Sequence, residues 1–480
     1  MNRLIENRKL IIEYCTFLII GIIVFLFAGQ EWVRTDADAA SYINSAGGEG
    51  VMPLYQLFIE ILRVIFGKKV LLSVVVIMQS IIAAVVTTDF SLFIKEKFNL
   101  GLVEEILVYF FSMLPYLIYL PEYGITHWIM TEGVSYSLFY IFFKYSLKYI
   151  FDYNKIDFLK AFLVAIFMGL TRSQLSLSIV FLSAVVVISK FAVNKNQKSK
   201  VSQKVGMFFL DLLIGMAICV VGIISIFGFR KLYNNYLYSI VYGHYASSCE
   251  VASIDSGLED IVIEKLAYSG QPNSLLKIKA FYEAEPEDVE LFDDENEREL
   301  FSLIYDALDE HEYLHKYADG GLYGWIHLTQ DRIPLVENDI ENLYFSTHTD
   351  TGLDSWTVGT HMALTLLKKH WPRVMLHSMR IMLMSLVASV FFQIEAIYFW
   401  CHVIAISLYL SLIFFIIWQK KRDRNLYKIS LLTLGFLLTL VVVTNLALNG
   451  VQRYVVYAMG VFYISLYLNI RSFITKKESI

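Results

Sequence analysis

The chain has 480 residues, of which 56% are hydrophobic and 15% aromatic, and its formal net charge is −5. Its apolar residues fall in runs of about 20, the length at which a helix crosses the ~30 Å hydrocarbon layer of a bilayer. This composition excludes a soluble globular protein, and the acidic charge balance argues against nucleic acid as a partner. The sequence predicts an all-α polytopic membrane protein.

Ten apolar runs are predicted to span the membrane: 10–29, 70–92, 102–121, 125–149, 158–171, 174–193, 206–229, 398–418, 427–447 and 451–470. The first run is too long for the apolar core of a signal peptide, so we expect it to be retained. With ten spans, the Lys- and Arg-rich short loops fall on one side, which predicts a multi-pass plasma-membrane protein with both termini in the cytoplasm. Three of the four cysteines lie in apolar runs, so neither a disulfide framework nor a metal-binding set is expected.

Two aspartates, Asp36 and Asp38, follow the first predicted span in the sequence Thr-Asp-Ala-Asp. A carboxylate at a membrane edge is either solvated by water or has a role in binding or catalysis, and a solvated loop is the simpler explanation. The spacing of the two aspartates leaves a divalent cation open, and no other cofactor is expected. The loop 30–69 is predicted to contain these residues and interfacial helices.

Three further charged residues, Glu132, Arg172 and Arg453, are predicted at outer ends of later spans. Each has a simpler explanation. Glu132 can lie at the N-terminus of a helix, where the helix dipole stabilises a carboxylate by ~0.3–1 kcal/mol. Arg172 interrupts an apolar stretch where two spans turn, and Arg453 follows a predicted tight turn, where its side chain can reach the membrane interface.

The segment 231–372 is the only long polar region, with 26 acidic and 9 basic residues and therefore a net charge of −17. We predict that it is an acidic extracytoplasmic domain between an N-terminal membrane module, 1–230, and a C-terminal part, 373–480. The apolar run Val374 to Phe392 is predicted to be an interfacial or re-entrant helix, although a full span also fits. A basic cluster precedes it: His361, Lys368, Lys369, His370 and Arg373. Attraction to lipid headgroups is its simpler explanation, and a carrier phosphate would be drawn to the same place.

Several of these residues also occur in the order found in the GT-C class of membrane glycosyltransferases, which the chain resembles. In that class an Asp of the first outer loop is followed by a Tyr, an Ala and a Pro-Tyr-like element, here Asp38, Tyr42, Ala46 and Pro53-Leu54-Tyr55. A later Thr-Glu is matched by Thr131-Glu132, and an Arg-Tyr near the last spans by Arg453-Tyr454. The resemblance is to the group that includes protein O-mannosyltransferases and aminoarabinose transferases. It covers residues 10–195 and the C-terminal spans.

The resemblance implies transfer of a sugar from a polyprenyl-phosphate carrier to a glycan, lipid or protein acceptor outside the membrane. The sequence itself shows no strand followed by a Gly-rich turn and a helix, which favours a lipid-linked over a nucleotide-linked donor. Such a reaction needs a carboxylate that accepts a proton, and Asp38 is favoured for this role over Asp36 and Glu132. The resemblance also implies that the reaction inverts the configuration at the anomeric carbon. Arginine suits the departing phosphate because its planar fork binds two oxygens. The predicted substrate-binding residues are Tyr42, Tyr55, Arg172, His361, Lys368, His370, Arg453 and Tyr454.

Other functions remain open at this stage. A surface-polysaccharide polymerase or ligase also acts on lipid-linked glycans, but it would use an outer loop rich in Arg and His. A transporter of lipid-linked glycans would have charged or broken segments near the middle of its spans, whereas the charges here lie near the ends. A receptor would use the acidic domain for binding and would leave Asp38 and Glu132 replaceable.

Overall fold

The structure is a computed structural model that describes residues 2–35, 39–43, 52–118, 124–195, 201–233, 235, 280–314, 333–347, 355–391, 398–447 and 452–477. These residues form helices, and no β-strand is assigned among them. The α-helices are α1 (Asn2–Phe27), α2 (Ala39–Ile43), α3 (Pro53–Phe66), α4 (Leu71–Phe98), α5 (Leu102–Met113), α6 (Glu132–Asp152), α7 (Lys155–Thr171), α8 (Leu177–Lys195), α9 (Val201–Leu232), α10 (Glu295–Glu310), α11 (Ile333–Thr347), α12 (Ser355–Ala388), α13 (Tyr398–Gln419), α14 (Arg424–Ala447), α15 (Gln452–Val455) and α16 (Met459–Lys477). The predicted all-α class is confirmed for this part of the chain.

Six segments of the described residues are long and apolar enough to cross a membrane: Lys9–Phe27, Lys68–Phe98, Gly206–Leu232, Phe399–Gln419, Arg424–Asn445 and Arg453–Thr475. They correspond to six of the ten predicted spans. The other four predicted spans contain α5, α6, α7 and α8, which are shorter or more polar. A helical multi-pass membrane protein is therefore supported, while the count of ten spans and the side of each loop stay predictions.

Helices α6 and α7 form an antiparallel hairpin that positions the candidate site. Tyr153 ends α6 in the left-handed region with φ of 54°, and the Asn154 side chain then caps α7 by accepting a hydrogen bond from the Ile156 N–H at 3.0 Å. The helices have 21 and 17 residues. At a rise of about 1.5 Å per residue, the beginning of α6 and the end of α7 therefore lie at the same end of the hairpin.

Two compact units divide the chain. The first contains 1–269, 409–439 and 457–480, and the second contains 270–408 and 440–456. The predicted segments 1–230, 231–372 and 373–480 stay a prediction. Helix α12 is continuous from Ser355 through Pro372 to Ala388 and so crosses the predicted boundary between 372 and 373. The run 374–392, predicted to be interfacial or re-entrant with a full span also fitting, begins inside this helix, and the described residues Ser378–Ala388 form a short apolar helical piece of it.

The second unit has its own apolar core. Helix α10 buries Leu300, Phe301, Ile304 and Leu308, which repeat at the helical period and lie on one face. They pack with residues of α11 and α12. Its opposite face is rich in Glu and Asp. The acidic part of this unit that the structure describes is thus an amphipathic helical assembly; its location outside the membrane remains a prediction.

Candidate functional site

An ion pair joins the first residue of α6 to the residue that follows α7. Arg172 Nη1 contacts Glu132 Oε1. Glu132 is fully buried, and 14% of the Arg172 side chain is exposed. Moving a charge out of water costs several kcal/mol, roughly, and the attraction of a buried pair offsets this only when its geometry is good. Two of the charges predicted to lie at outer span ends therefore do meet, although they are 40 residues apart in sequence.

Hydroxyl groups surround this pair. Thr131 Oγ1 donates to Glu132 Oε2 at 3.0 Å, so both carboxylate oxygens of Glu132 are engaged. The Tyr457 hydroxyl lies 2.9 Å from Ser135 Oγ and within hydrogen-bonding reach of Arg172. Since Tyr457 precedes α16, the C-terminal part of the first unit also contributes to this site.

Tyr55 of the predicted substrate-binding set is fully buried, and its hydroxyl donates to Gln79 Oε1 at 2.7 Å. The Tyr42 ring meets the Tyr55 ring edge-on, with centroids 5.1 Å apart. Burial raises the pKa of Tyr55 well above its usual value, and the nearby Tyr42 and Glu132 add to the effect. Tyr55 is therefore a neutral donor close to Glu132, and its hydroxyl is already used within the protein.

Arg34 also contacts the segment that precedes α6. The Arg34 N–H donates to the His127 carbonyl at 2.9 Å, and the Ile129 N–H donates to the Arg34 carbonyl at 3.0 Å. The Arg34 guanidinium also lies over the Trp128 ring, 5.3 Å from its centroid. These contacts tie the residues that precede Glu132 to the chain that leaves α1.

Asp36 and Asp38, the first candidates for the catalytic base, lie outside the described residues, as does Ala46. Their neighbours in sequence are described. Arg34 is bonded to the segment before α6, and Ala39 is buried in an apolar cluster with Tyr55 and Ile129. The chain on both sides of the two aspartates is thus anchored near the beginning of α6.

The basic cluster of α12 is engaged with carboxylates of its own unit. His361 Nδ1 lies 2.8 Å from Glu297 Oε1, and His370 Nε2 lies 2.6 Å from Asp288 Oδ2. Lys369 also bonds Asp288, and Arg373 bonds Glu285. Lys368 is exposed. The structure thus gives His361 and His370, both predicted to bind substrate, internal partners that explain their positions without a ligand.

Asp288 is the centre of this network. Burial acts to raise its pKa, but hydrogen bonds from Lys369, the Glu285 backbone N–H and His370 outweigh burial and hold the pKa below its usual value. The pKa of Glu285 is also lowered, chiefly by its hydrogen bond from Arg373. Asp288 therefore stays ionised at neutral pH and joins the 3₁₀ segment Pro286–Leu291 to α12.

Arg453 and Tyr454 lie in the short helix α15 and belong to the second unit. Arg453 Nη2 donates to the Tyr454 hydroxyl at 3.0 Å, and its guanidinium carbon lies 4.9 Å from the centroid of the Tyr454 ring. Such stacking fixes the direction of a guanidinium. The predicted role of both residues in substrate binding stays a prediction.

No group of three or more His, Cys, Asp or Glu side chains with metal-binding geometry occurs among the described residues. Asp36 and Asp38, whose spacing is compatible with a divalent cation, lie outside the described residues.

Sequence reasoning missed two residues of this site. Gln79 is a polar residue inside a long apolar run, and an amide at such a depth is a signal of a structural or functional role. Tyr457 has no comparable signal, because tyrosine is common in the last spans and its proximity to Arg172 depends on tertiary packing. Both residues are fully buried.

No protein-family model matches the chain, and neither a curated protein nor a solved structure matches it. The geometry of the described residues therefore carries the functional argument.

Proposed function

We propose that the protein is a GT-C-type glycosyltransferase that moves a sugar from a polyprenyl-phosphate carrier to a glycan, lipid or protein acceptor at the outer face of the membrane. In this proposal the site is the end of the first unit where α6 begins and α7 ends. The carrier phosphate is bound at Arg172, and Asp38 is the base.

The observation that carries the proposal is the buried pair of Glu132 and Arg172. Replacing such a pair by packed apolar side chains is often neutral or stabilising, so its presence in an apolar bundle is poorly explained by stability alone. Ionisable residues among membrane-spanning helices usually bind substrates, ions or protons. An arginine that a carboxylate and a tyrosine hydroxyl hold in place is ready to bind a phosphate without reorganising.

The proposed step is a single displacement at the anomeric carbon. The acceptor oxygen or nitrogen forms a bond to this carbon while the bond from the carbon to the phosphate oxygen breaks. The acceptor proton passes to the Asp38 carboxylate, and the polyprenyl phosphate leaves with the electron pair. Arg172 stabilises the negative charge that develops on the phosphate.

Glu132 has a different role in this scheme from that of a base. Its Oε1 contacts Arg172 and its Oε2 accepts the Thr131 hydrogen bond, so proton abstraction by Glu132 would first require these contacts to break. We propose that Glu132 orients Arg172. Its charge also balances the guanidinium while no phosphate is bound.

The test uses the full chain in nanodiscs with undecaprenyl phosphate linked to a labelled hexose, pentose or amino sugar, and a membrane extract as the source of acceptor. Release of undecaprenyl phosphate with transfer of the label is expected. D38N retains the size of the side chain but removes the base, so it should abolish transfer, whereas D36N should reduce it less. Transfer by D38N at the wild-type rate would refute the assignment of the base.

The same assay separates the alternative of a surface-polysaccharide polymerase or ligase. A glycosyltransferase of the proposed kind adds one sugar residue per carrier consumed. A product extended by whole oligosaccharide units, formed only from diphosphate-linked oligosaccharides, would favour the alternative and would contradict the proposal.

A further inference from the structure

Gln79 lies within the apolar helix α4 and is fully buried. Its carboxamide makes three hydrogen bonds. Oε1 accepts from the Tyr55 hydroxyl at 2.7 Å, and Nε2 donates to the carbonyls of Thr126 and Trp128 at 2.9 and 3.1 Å. Because a carbonyl oxygen only accepts, the two bonds of Nε2 fix which way the amide faces.

These bonds connect Gln79 to the elements that carry the candidate site. Tyr55 belongs to helix α3. Thr126 and Trp128 belong to the segment 124–131, which ends at Thr131 and leads directly into Glu132. Residues 127 and 129 of that segment are bonded in turn to Arg34, two residues before Asp36. The Gln79 carboxamide therefore holds helix α3 and the segment 124–131 that precedes α6. That segment is bonded in turn to Arg34, which lies just before the two aspartates.

The first turn of α6 also packs directly on this carboxamide. A Cβ atom placed on Gly133 would lie 2.5 Å from Cδ and from Oε1 of Gln79. That distance is too short for non-bonded atoms, so only glycine allows this approach. The residue after Glu132 is thus in van der Waals contact with the amide that holds the preceding segment.

From these contacts we infer that Gln79 is a positioning residue: it sets the place of Glu132, and through Glu132 that of Arg172, without touching the substrate itself. The inference rests on the proposed function only for its consequence, which is the affinity for a carrier phosphate. The placement of residues 124–133 by Gln79 can be measured separately.

The first measurement is independent of any ligand. Met130 is fully buried in the segment that Gln79 holds. In a full-length protein whose four native cysteines are replaced by serine, an M130C thiol should react slowly with N-ethylmaleimide. Q79M keeps the length of the side chain but removes its hydrogen bonds, so the rate should rise roughly tenfold as this segment opens more often. Q79E places a carboxylate against two carbonyl oxygens and should raise the rate further.

Two further variants make this measurement specific. T87V is the matched control, because Thr87 is buried on the same helix, two turns beyond Gln79, and donates to the carbonyls of Ala83 and Ala84 in the preceding turn; its labelling should equal that of the parent. G133A should act like Q79M. Adding G133A to Q79A should change nothing further, since the group that the new Cβ would meet is already absent. Unchanged labelling in Q79M and Q79E would overturn the inference.

The second measurement titrates undecaprenyl phosphate onto the full chain, with native cysteines, in nanodiscs. The Kd should rise roughly tenfold or more in Q79M and G133A and should stay unchanged in T87V, because a small displacement of a binding group has a large effect. Faster labelling with an unchanged Kd would make Gln79 merely structural and would overturn the inference. If the wild-type protein binds no undecaprenyl phosphate, the proposed function fails, and labelling alone decides whether Gln79 places this segment.

Discussion

Glu132 and Asp288 are both buried carboxylates that meet cations, yet their surroundings differ. Asp288 is held by Lys369, by His370 and by a backbone N–H, and these bonds join a 3₁₀ segment to α12. Among the described residues, Glu132 contacts the Arg172 guanidinium and accepts a hydrogen bond from the Thr131 hydroxyl. The contacts of Asp288 join two segments of one unit, and folding accounts for them. An ion pair buried between α6 and α7 adds little stability over apolar packing, and the proposed binding of a phosphate at Arg172 would give it a function.

The two ends of α6 sharpen this difference. At its far end Lys97 lies 3.2 Å from Asp152, and the side chains are 27% and 60% exposed. Charges exposed to this degree are screened, and such pairs contribute ~0–1 kcal/mol. The pair of Glu132 and Arg172 lies about 30 Å away along the helix, by the rise of 1.5 Å per residue, and is largely screened from solvent. Deleting one partner should therefore have very different effects at the two ends.

The largest effect is expected for R172A. It leaves the Glu132 charge buried without its counter-ion, which should lower the free energy of unfolding by about 3–5 kcal/mol and abolish transfer. Thermal unfolding in detergent measures the first effect and the release of undecaprenyl phosphate the second. R471A is the control, because Arg471 pairs with Glu104 where both are partly exposed and also donates to the carbonyls of Phe98 and Asn99 at 3.2 Å; we expect a smaller loss of about 1–2 kcal/mol.

A double variant separates stability from function at this pair. E132M/R172M removes both buried charges and keeps the side chains long and apolar. It should recover most of the stability that R172A loses, while transfer stays absent. Recovery of transfer in this variant would mean that the ion pair has no part in the reaction.

The next largest effect is expected at Asp288. D288N weakens hydrogen bonds to a charged group and should destabilise the second unit by about 1.5–3 kcal/mol near neutral pH. The folded pKa of Asp288 is lowered, so its stabilising contribution is complete above the unfolded pKa of 3.8 and is lost as the pH falls through the folded pKa. Hydrogen exchange of residues 280–314, corrected for intrinsic rates, should show this loss below about pH 4 in the wild type.

In D288N, acidification should cause a smaller loss of the stability that hydrogen exchange measures in residues 280–314. Transfer activity at neutral pH should change less than in R172A. Identical pH profiles of opening in the two proteins would assign the acid response to other carboxylates, such as Glu285.

A smaller effect is expected for Y457F, which deletes the hydroxyl that meets Ser135 and Arg172. The variant loses one contact to a neutral hydroxyl and one to a guanidinium, which should lower the free energy of unfolding by about 1–2 kcal/mol, and we expect a few-fold weaker binding of undecaprenyl phosphate. Y467F serves as a control, because Tyr467 is a partly buried tyrosine ten residues further along the chain, close to Glu104 and Arg471. Equal effects of Y457F and Y467F on binding would remove Tyr457 from the site.

The smallest effect is expected for K97A at the far end of α6. Its exposed pair should contribute no more than ~1 kcal/mol to unfolding, and transfer should be unchanged. The measurement is again thermal unfolding with the transfer assay. A loss as large as that of R172A would show that the two ends of α6 do not differ as described.

The sequence allowed part of the site to be predicted. Glu132 and Arg172 were candidates because both charges fell at ends of apolar runs, and that signal is local. The partners of His361 and His370 were not visible, since Glu297 and Asp288 are distant in sequence and the pairing depends on how α10 and α12 pack. A basic cluster next to an acidic domain therefore suggested a ligand where the protein supplies its own carboxylates.

The fold was predictable to a similar extent. Apolar runs located the long helices because helix length and hydropathy are set by the bilayer. The continuity of α12 through Pro372 was missed, because proline usually ends or bends a helix and the polarity changes at that position. Gln79 could have been singled out as a buried amide, but its three partners lie in segments that only the tertiary structure brings together.

The most direct test is a density map of the full chain in nanodiscs containing undecaprenyl phosphate. The account predicts phosphate density within about 3.5 Å of the Arg172 guanidinium, with Glu132 and Tyr457 beside it and the lipid chain leaving between helices of the first unit. Phosphate density at His361, Lys368 or Arg453 with none at Arg172 would contradict it.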